Sequence, residues 1–204
     1  MPDQTSVAMT YAAGAITTDF SVRTALGWTA VRWSREQLFQ LTIGHPTRGT
    51  SVEALVQAAS APKPVSFDRD PALRPWQRRL VARLRQYADG DDADFQDVPL
   101  AWHGTTPFAR RVLELCRRIP YGQTASYRQL ASAAGSPRAA RAVGNVMAAN
   151  RFPLVIPCHR VVGADLQLRG FSAPTGVALK QRLLQLEGSS RGPASRRLRP
   201  SRST

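Results

Sequence analysis

The sequence predicts an α/β (α+β) protein with two domains, the first a small sheet with helices and the second mainly helical. Three observations lead to this prediction. Residues 25–43 alternate in patches and are rich in Trp, Thr, Val, Leu and Phe, as strands are. Apolar residues after Thr106 recur at helical spacing. The excess of positive charge also begins at the second half of the chain.

The first half should begin with a flexible N-terminus over residues 1–20, because its first residues are polar and unpatterned. A domain over residues 21–105 follows. Its helices are expected where Ser or Thr can cap an apolar pattern, or where proline stands early. The predicted elements are a β-hairpin over 25–43 with a turn near 34–36, helices over 50–60 and 74–88, a loop over 89–97 and a short strand over 98–102.

The second domain is predicted over residues 106–188, and residues 189–204 are predicted to be a disordered basic tail of Ser, Arg, Pro and Gly. Its helices are expected over 108–119, 126–134, 138–149 and 176–187. A sharp turn between the second and third of these helices makes them a helix-turn-helix. Arg138 and Arg141 lie near the start of the helix that would contact nucleic acid.

The charge distribution indicates a polyanion-binding surface on the second domain. Residues 1–105 hold 11 Lys and Arg against 11 Asp and Glu, whereas residues 106–188 hold 12 against 3. Neutralising phosphates releases counterions, which supplies much of the affinity for nucleic acid. A basic surface that only keeps the protein soluble explains the same charge equally well.

Composition narrows the class of protein. The chain has 204 residues, 43% of them hydrophobic, which is enough for a packed core. No window approaches the roughly 18 apolar residues that span a bilayer, so no membrane partner and a cytoplasmic location are expected. Only two cysteines are present, which favours free thiols over a disulfide framework.

The stretch FPLVIPCHRVV places Cys158 beside His159 after a buried run that ends in Pro157. On a turn or at a first helical residue the two side chains can cooperate, and an imidazole can activate a thiol. Glu187, at the end of an apolar and basic helix, is the candidate carboxylate to orient His159. A packed, inert cysteine is the alternative, and Cys116 on an apolar helix face fits that alternative better.

The same motif resembles the O6-alkylguanine-DNA alkyltransferases, also called methylated-DNA–protein-cysteine methyltransferases. The resemblance covers about residues 106–188 and rests on IPCHRVV, on SYRQLASAAGSPRAARAVGNVMAANRFP before it, and on GF and LLQLEG after it. It implies a ribonuclease H-like N-terminal domain and a winged-helix-like C-terminal domain that binds DNA and transfers alkyl groups.

The resemblance also implies a reaction. Cys158 would accept the alkyl group of O6-alkylguanine irreversibly, so that each molecule acts once as a suicide enzyme in DNA repair. His159 would act on the thiol through a water molecule, and Glu187 would fix its tautomer. Asn150 would hold the turn that carries Cys158, although a helix C-cap is an alternative role for it.

For DNA, the resemblance implies base flipping, because O6 within a stacked duplex cannot present its alkyl carbon to a thiolate. Arg141 would enter the duplex and fill the space left by the base, or would merely contact a phosphate. Tyr127 would contact a phosphate and hydrogen-bond the extruded guanine, or would simply pack between helices. Arg138, near the start of the same helix, is also expected to contact DNA.

The resemblance places the guanine pocket at Phe171 and Ser172, with Val161 and Lys180 nearby, although Lys180 suits a solvated helix position equally well. Phe171 stands where many relatives have tyrosine. No cofactor is expected. Some relatives bind zinc in the N-terminal domain, but that region here has no cysteine and only His45 and His103, so no metal is expected. The expected partner is duplex DNA containing O6-alkylguanine, bound by a monomer.

Three other functions remain open from the residues. A noncatalytic binder of alkylated DNA is one, but such relatives replace the acceptor cysteine. A helix-turn-helix regulator that senses alkylation at Cys158 is a second. A Cys-His-Glu hydrolase is a third, disfavoured because the basic charge suits DNA better than a small ester.

Overall fold

The computed structural model describes residues 7–12, 15–57, 66–68, 73–163, 167–168 and 170–188. The predicted basic tail over 189–204 lies outside these residues. The chain divides into two compact units. The described residues as far as His103, with Arg151–Val155 and Ala173–Thr175, form the first unit, and Gly104–Asn150, Ile156–Ser172 and the described residues from Gly176 form the second.

The first unit is built on an antiparallel five-stranded sheet with the strand order β4-β3-β2-β1-β5. The predicted hairpin is confirmed as β3 and β4, because Ser34 N–H donates to the Gln37 carbonyl oxygen at 2.9 Å and closes the turn. The strands are β1 (Val7–Ala12), β2 (Ala15–Thr24), β3 (Gly27–Trp33), β4 (Leu38–His45) and β5 (Ser66–Asp68).

The flexible N-terminus predicted over residues 1–20 is wrong where the structure describes it. Strand β1 and the start of β2 occupy this region and pair with each other from Ala8 to Ala12. The physical reason lies in the residue types. VAMTYA and AITTDF combine β-branched and aromatic residues, which favour a pleated surface, and Thr17 and Asp19 are buried although they are polar.

The two helices of the first unit are α1 (Arg48–Gln57) and α2 (Pro75–Asp89), which confirms both predicted helices. Helix α1 begins two residues early because Thr47 caps it, its hydroxyl oxygen accepting from Thr50 N–H at 3.2 Å. The short strand predicted over 98–102 is reduced to one bridge between Leu38 and Leu100.

The two faces of the sheet differ in chemistry. Phe20 and Trp33 stack on one face with ring centroids 5.5 Å apart, and Trp76 of α2 meets Trp33 edge-on. On the other face Arg32 lies opposite Asp19 in the register of β2 and β3, next to α1. Two guanidinium nitrogens donate to the two Asp19 oxygens, each at 2.7 Å, and both side chains are buried. This bidentate pair satisfies both charges away from water.

The second unit contains the helices and the short strands around Cys158, and its four predicted helices are confirmed with small shifts at their ends. In chain order its elements are α3 (Pro107–Arg117), β6 (Ala125–Ser126), α4 (Tyr127–Ala133), α5 (Ala140–Ala148), a 3-10 helix (Cys158–Arg160), β7 (Val161–Val162) and α6 (Val177–Leu186).

The parallel pair β6 and β7 organises this unit. Ala125 lies opposite Val161, and Ser126 opposite Val162. Because β7 directly follows the 3-10 helix and β6 directly precedes α4, the pairing fixes the start of α4 beside the Cys158 turn. Ser126 also caps α4 in a capping box with Gln129. No helix among the described residues is long and apolar enough to cross a membrane.

Breaking the buried ion pair of the sheet should strongly destabilise the protein. We expect Asp19→Asn to lower the free energy of unfolding by about 3 kcal/mol, because it leaves the buried Arg32 guanidinium without a carboxylate. Urea denaturation measures this loss. Asp97→Asn is the matched control, since Asp97 pairs with Arg83 at the surface and should cost less than about 1 kcal/mol. Equal losses in the two variants would contradict the expectation.

Candidate active site

Cys158 is the first residue of a tight turn, as the sequence predicts. Pro157 ends the buried run, and the 3-10 helix begins at Cys158. The Ile156 carbonyl oxygen accepts two hydrogen bonds at this point, from Cys158 N–H at 2.8 Å and from Asn150 Nδ2 at 2.9 Å. Asn150 lies one residue beyond the C-cap of α5, Ala149. Its side chain therefore ties the end of α5 to the turn that presents the thiol.

His159 and Glu187 are brought together over 28 residues of chain. His159 Nε2 lies 2.7 Å from Glu187 Oε1, and both side chains are fully buried. The contact assigns Nε2 to the carboxylate, so Nδ1 is the nitrogen that would act toward a thiol or a bridging water. Burial lowers the pKa of His159, more strongly than Glu187 raises it. The imidazole is therefore neutral at pH 7.

Arg160 is a site residue that the sequence analysis did not single out. Its Nε donates to Glu187 Oε2 at 2.9 Å, and its Nη2 to Oε1 at 3.0 Å, while Nη1 donates to the Ile119 carbonyl oxygen at 2.6 Å. The side chain is buried. A signal was available in the sequence, because an arginine inside an apolar run needs a buried anion as its partner.

Glu187 also accepts a hydrogen bond from a backbone amide. Gly122 N–H donates to Glu187 Oε2 at 3.1 Å. Gly122 has a φ of 71°, and a Cβ there would stand 3.0 Å from the Glu187 carbonyl oxygen, so this position requires glycine. Burial raises the pKa of Glu187, but the contacts with His159 and Arg160 outweigh it and lower the pKa to about 2. Glu187 is thus a carboxylate at neutral pH.

The Cys158 thiol is nearly closed off from solvent, with 7% of the residue exposed. Burial raises its pKa, against the opposing effects of a hydrogen bond from Asn150 and the charge of Lys180. The resting state at pH 7 is therefore a neutral thiol beside a neutral imidazole. A base must remove the thiol proton before the sulfur can act as a nucleophile.

Lys180 is buried, with 1% exposed, so the solvated helix position considered for it is wrong. Its Nζ donates to the Val161 carbonyl oxygen at 2.6 Å and lies 5.9 Å from the centroid of the Tyr127 ring. Burial lowers its pKa, and its charge in turn acts on Cys158. Lys180 thereby joins three elements: α6, β7 and the first residue of α4.

Val161 is completely buried, whereas the other predicted site residues lie nearer the surface. Arg138 and Arg141 are exposed in the turn before α5 and on its first turn. Ser172 is exposed, and its hydroxyl donates to the Ala148 carbonyl oxygen at 2.7 Å, which ties the loop before α6 to the end of α5. Phe171 is half-buried. Arg169, in the same loop, lies outside the described residues.

The second cysteine behaves as the sequence predicts. Cys116 is completely buried on α3, and burial holds its pKa well above the usual value. Within the described part of the chain, no group of three His, Cys, Asp or Glu side chains is placed to hold a metal ion. The absence of a metal stays a prediction.

Known proteins share both the sequence of the second unit and the fold. Residues 107–189 match the family described as 6-O-methylguanine DNA methyltransferase, DNA binding domain. The methylated-DNA–protein-cysteine methyltransferase of Methanothermobacter thermautotrophicus is 42% identical over 114 residues, which are 55% of this chain and 62% of that protein. That of Methanosarcina acetivorans is 40% identical over 112 residues, 55% of this chain and 69% of that protein.

A solved structure extends the similarity to both units. Mycobacterium tuberculosis OGT in complex with DNA has a TM-score of 0.64 and 31% sequence identity, and the match covers 85% of this chain and 94% of that chain. The sequence match therefore spans less than two thirds of the archaeal relative from Methanothermobacter, whereas the structural match spans nearly all of the mycobacterial chain. The mixed α/β fold with a small sheet and helices is confirmed.

The Glu187 carboxylate should make stability depend on acidity. Its folded pKa is about 2, below the ordinary 4.5, so its contribution is complete above pH 4.5 and is lost as the pH falls toward 2. We expect the free energy of unfolding of the wild type to fall toward that of Glu187→Gln over this window, by up to about 3 kcal/mol. Urea denaturation at a series of pH values measures it.

Glu114→Gln is the control for this titration. Glu114 pairs with Arg110 at the surface, where ion pairs contribute little. Its unfolding free energy should therefore follow the wild type in parallel at every pH. A constant gap between the wild type and Glu187→Gln from pH 5 to pH 2 would show that the carboxylate has no lowered pKa.

Proposed function

The chain belongs to the methylated-DNA–protein-cysteine methyltransferase family, and from this premise we propose that it repairs DNA by taking the methyl group of O6-methylguanine onto Cys158. The product thioether is stable, so each molecule acts once. The protein works as a monomer on duplex DNA and needs no cofactor.

One observation carries this proposal. The 3-10 helix carries Cys158 and His159, and the end of α6 places Glu187 against the His159 imidazole. The imidazole is neutral, and the Glu187 carboxylate that contacts it has a pKa of about 2. This is the arrangement of a nucleophile, a base and an orienting anion. A structural cysteine in the core needs none of these partners.

The reaction follows from the resting protonation states. His159 removes the thiol proton through a water, and Glu187 stabilises the imidazolium that forms. The sulfur then forms a bond to the methyl carbon while the bond between that carbon and O6 breaks. The electron pair of the breaking bond stays on the guanine. The guanine takes up one proton, which balances the proton removed from Cys158. Lys180 stabilises the thiolate electrostatically, because its charge lowers the pKa of Cys158.

DNA binding is proposed for the exposed face of the helix-turn-helix. Arg138 and Arg141 lie at the start of α5, and the region from 106 to 188 carries most of the basic excess. The methyl carbon must be brought in line with a largely buried sulfur, which requires that the base leave the stack. Arg141 then occupies the space in the duplex. Tyr127, Phe171 and Ser172 contact the extruded guanine, with Val161 nearby.

We propose the finer fold assignments on the same premise. The first unit, a sheet between two helices, corresponds to a ribonuclease H-like domain. The second unit, with α4, α5 and the β6–β7 pair, corresponds to a winged-helix-like domain. Asn150 acts as the residue that holds the turn between α5 and Cys158, which its hydrogen bond to Ile156 supports.

Incubation with a duplex containing O6-methylguanine should add one methyl group to each protein molecule, at Cys158. Peptide mass spectrometry locates the methyl group, and its amount should not exceed that of the protein. Cys158→Ala should abolish transfer but keep DNA binding, and Cys116→Ser should retain transfer because Cys116 is completely buried on α3. Protein that binds the duplex with Cys158 unmodified would instead indicate a noncatalytic binder.

Arg141→Ala should slow transfer at saturating DNA by on the order of tenfold, equivalent to about 1.4 kcal/mol, because the extruded state loses the side chain that fills the duplex. Single-turnover kinetics measures the rate. Arg182→Ala removes the same charge from an exposed position on α6 and should leave the saturated rate unchanged. If Arg141→Ala weakened only DNA affinity, Arg141 would be a phosphate contact instead.

A further inference from the structure

We propose that Arg151 is a positioning residue for the transfer reaction: it anchors the segment Arg151–Val155 in the first unit and thereby fixes the turn that presents Cys158. This inference rests on the proposed function for the reaction that it affects. It concerns the path of the chain, because the segment belongs to the first unit while its neighbours Asn150 and Ile156 belong to the second.

Arg151 is held at both its backbone and its side chain. Its carbonyl oxygen accepts from Leu41 N–H of β4 at 2.8 Å. Its Nη2 donates to the carbonyl oxygens of Ala101 and His103, at 3.1 and 3.0 Å. Two carbonyl acceptors for one guanidinium nitrogen fix the side chain in one geometry, which a more flexible lysine cannot reproduce.

The rest of the segment is packed in the same unit. Phe152 and Val155 are buried, and the Phe152 ring meets Trp102 edge-on with centroids 6.0 Å apart. The Arg151 guanidinium lies 5.4 Å from the centroid of the Phe152 ring. Hydrogen bonds, aromatic packing and burial thus act together on a segment that ends three residues before the acceptor cysteine.

The segment is also strained. Leu154 has a φ of 68°, in the left-handed region that a leucine rarely adopts. Such a conformation is energetically unfavourable for a residue with a side chain and persists only where surrounding contacts impose it. Leu154 is buried. The contacts of Arg151 and Phe152 supply the constraint, and without them the segment should relax toward an ordinary backbone conformation.

A change in the conformation of Arg151–Val155 would reach the thiol through the backbone that joins this segment to Cys158. The loop from Asn150 to Ile156 is closed at its base by the hydrogen bond from Asn150 Nδ2 to the Ile156 carbonyl oxygen. The same oxygen accepts from Cys158 N–H. A shift of the segment therefore displaces the Ile156 carbonyl oxygen, which is the acceptor that Asn150 and Cys158 share. Misplacing a reacting group by about 1 Å can cost up to about a hundredfold in rate.

Arg151→Met tests the inference, because it keeps much of the aliphatic stem and removes the hydrogen-bond donors. We expect the single-turnover methyl-transfer rate at saturating DNA to fall by about tenfold, with the dissociation constant for DNA within about twofold of the wild type. Arg151→Lys retains one cationic donor, so its transfer rate should lie between those of the wild type and Arg151→Met. Trp76→Phe is the matched control, since it also removes one side-chain hydrogen bond to a carbonyl oxygen of the first unit, that of Arg35.

A second measurement needs no DNA. Alkylation of Cys158 by iodoacetamide is followed by peptide mass spectrometry against pH. The Asn150 hydrogen bond lowers the pKa of Cys158, so loosening the turn should move the midpoint of this profile upward in Arg151→Met and leave it in place in Trp76→Phe. An unspecific loss of stability would affect both variants alike.

The outcomes separate the two proposals. Wild-type protein that fails to accept a methyl group would overturn the proposed function, and the iodoacetamide profile would still decide the role of Arg151. Arg151→Met with a wild-type transfer rate and an unshifted profile would overturn the positioning role. Equal effects of Arg151→Met and Trp76→Phe would overturn it as well, because they would indicate general destabilisation.

Discussion

The buried carboxylate of Glu187 is the constraint on which the second unit depends. It accepts hydrogen bonds from His159, from two nitrogens of Arg160 and from the amide of Gly122. Each donor comes from a different part of the chain or from a different residue of the 3-10 helix. An isolated carboxylate would be protonated in such an environment, whereas this one is kept ionised by its partners. Its negative charge in turn offsets the cost of burying the Arg160 guanidinium.

Burial and the neighbouring charges together determine the protonation states of Cys158 and His159. Burial favours the neutral forms of both Cys158 and His159, so the sulfur is not a standing thiolate. A neutral thiol is less reactive toward stray electrophiles than a thiolate. The carboxylate and Lys180 favour the charged pair that forms once a proton moves. The thiol of Cys158 therefore stays neutral until a base removes its proton.

The sequence predicts the local elements well because each carries its own signals. Ser126 with Gln129, Thr106 with Pro107 and the turn at Gly135 mark helix boundaries by hydrogen-bonding chemistry that acts within a few residues. The contact of His159 with Glu187 also followed from residue types, since a base needs an orienting anion and one carboxylate stood at the end of the last helix.

What the sequence does not reveal depends on contacts between distant residues. The burial of Lys180 against Val161 and Tyr127, the role of Arg160 and the path of Arg151–Val155 through the first unit are set by tertiary packing, which periodicity does not encode. Strands β1 and β2 were missed for a similar reason. Their alternation mixes Thr and Asp with apolar residues, and Asp19 is buried only because Arg32 lies opposite it.

Glu187 stands at the C-cap of α6, the last helix of the described chain. His159 and Arg160 precede this carboxylate by 28 and 27 residues. During synthesis they therefore leave the ribosome before their anion does, and the hydrogen bonds that hold both side chains can form only after α6 has been translated.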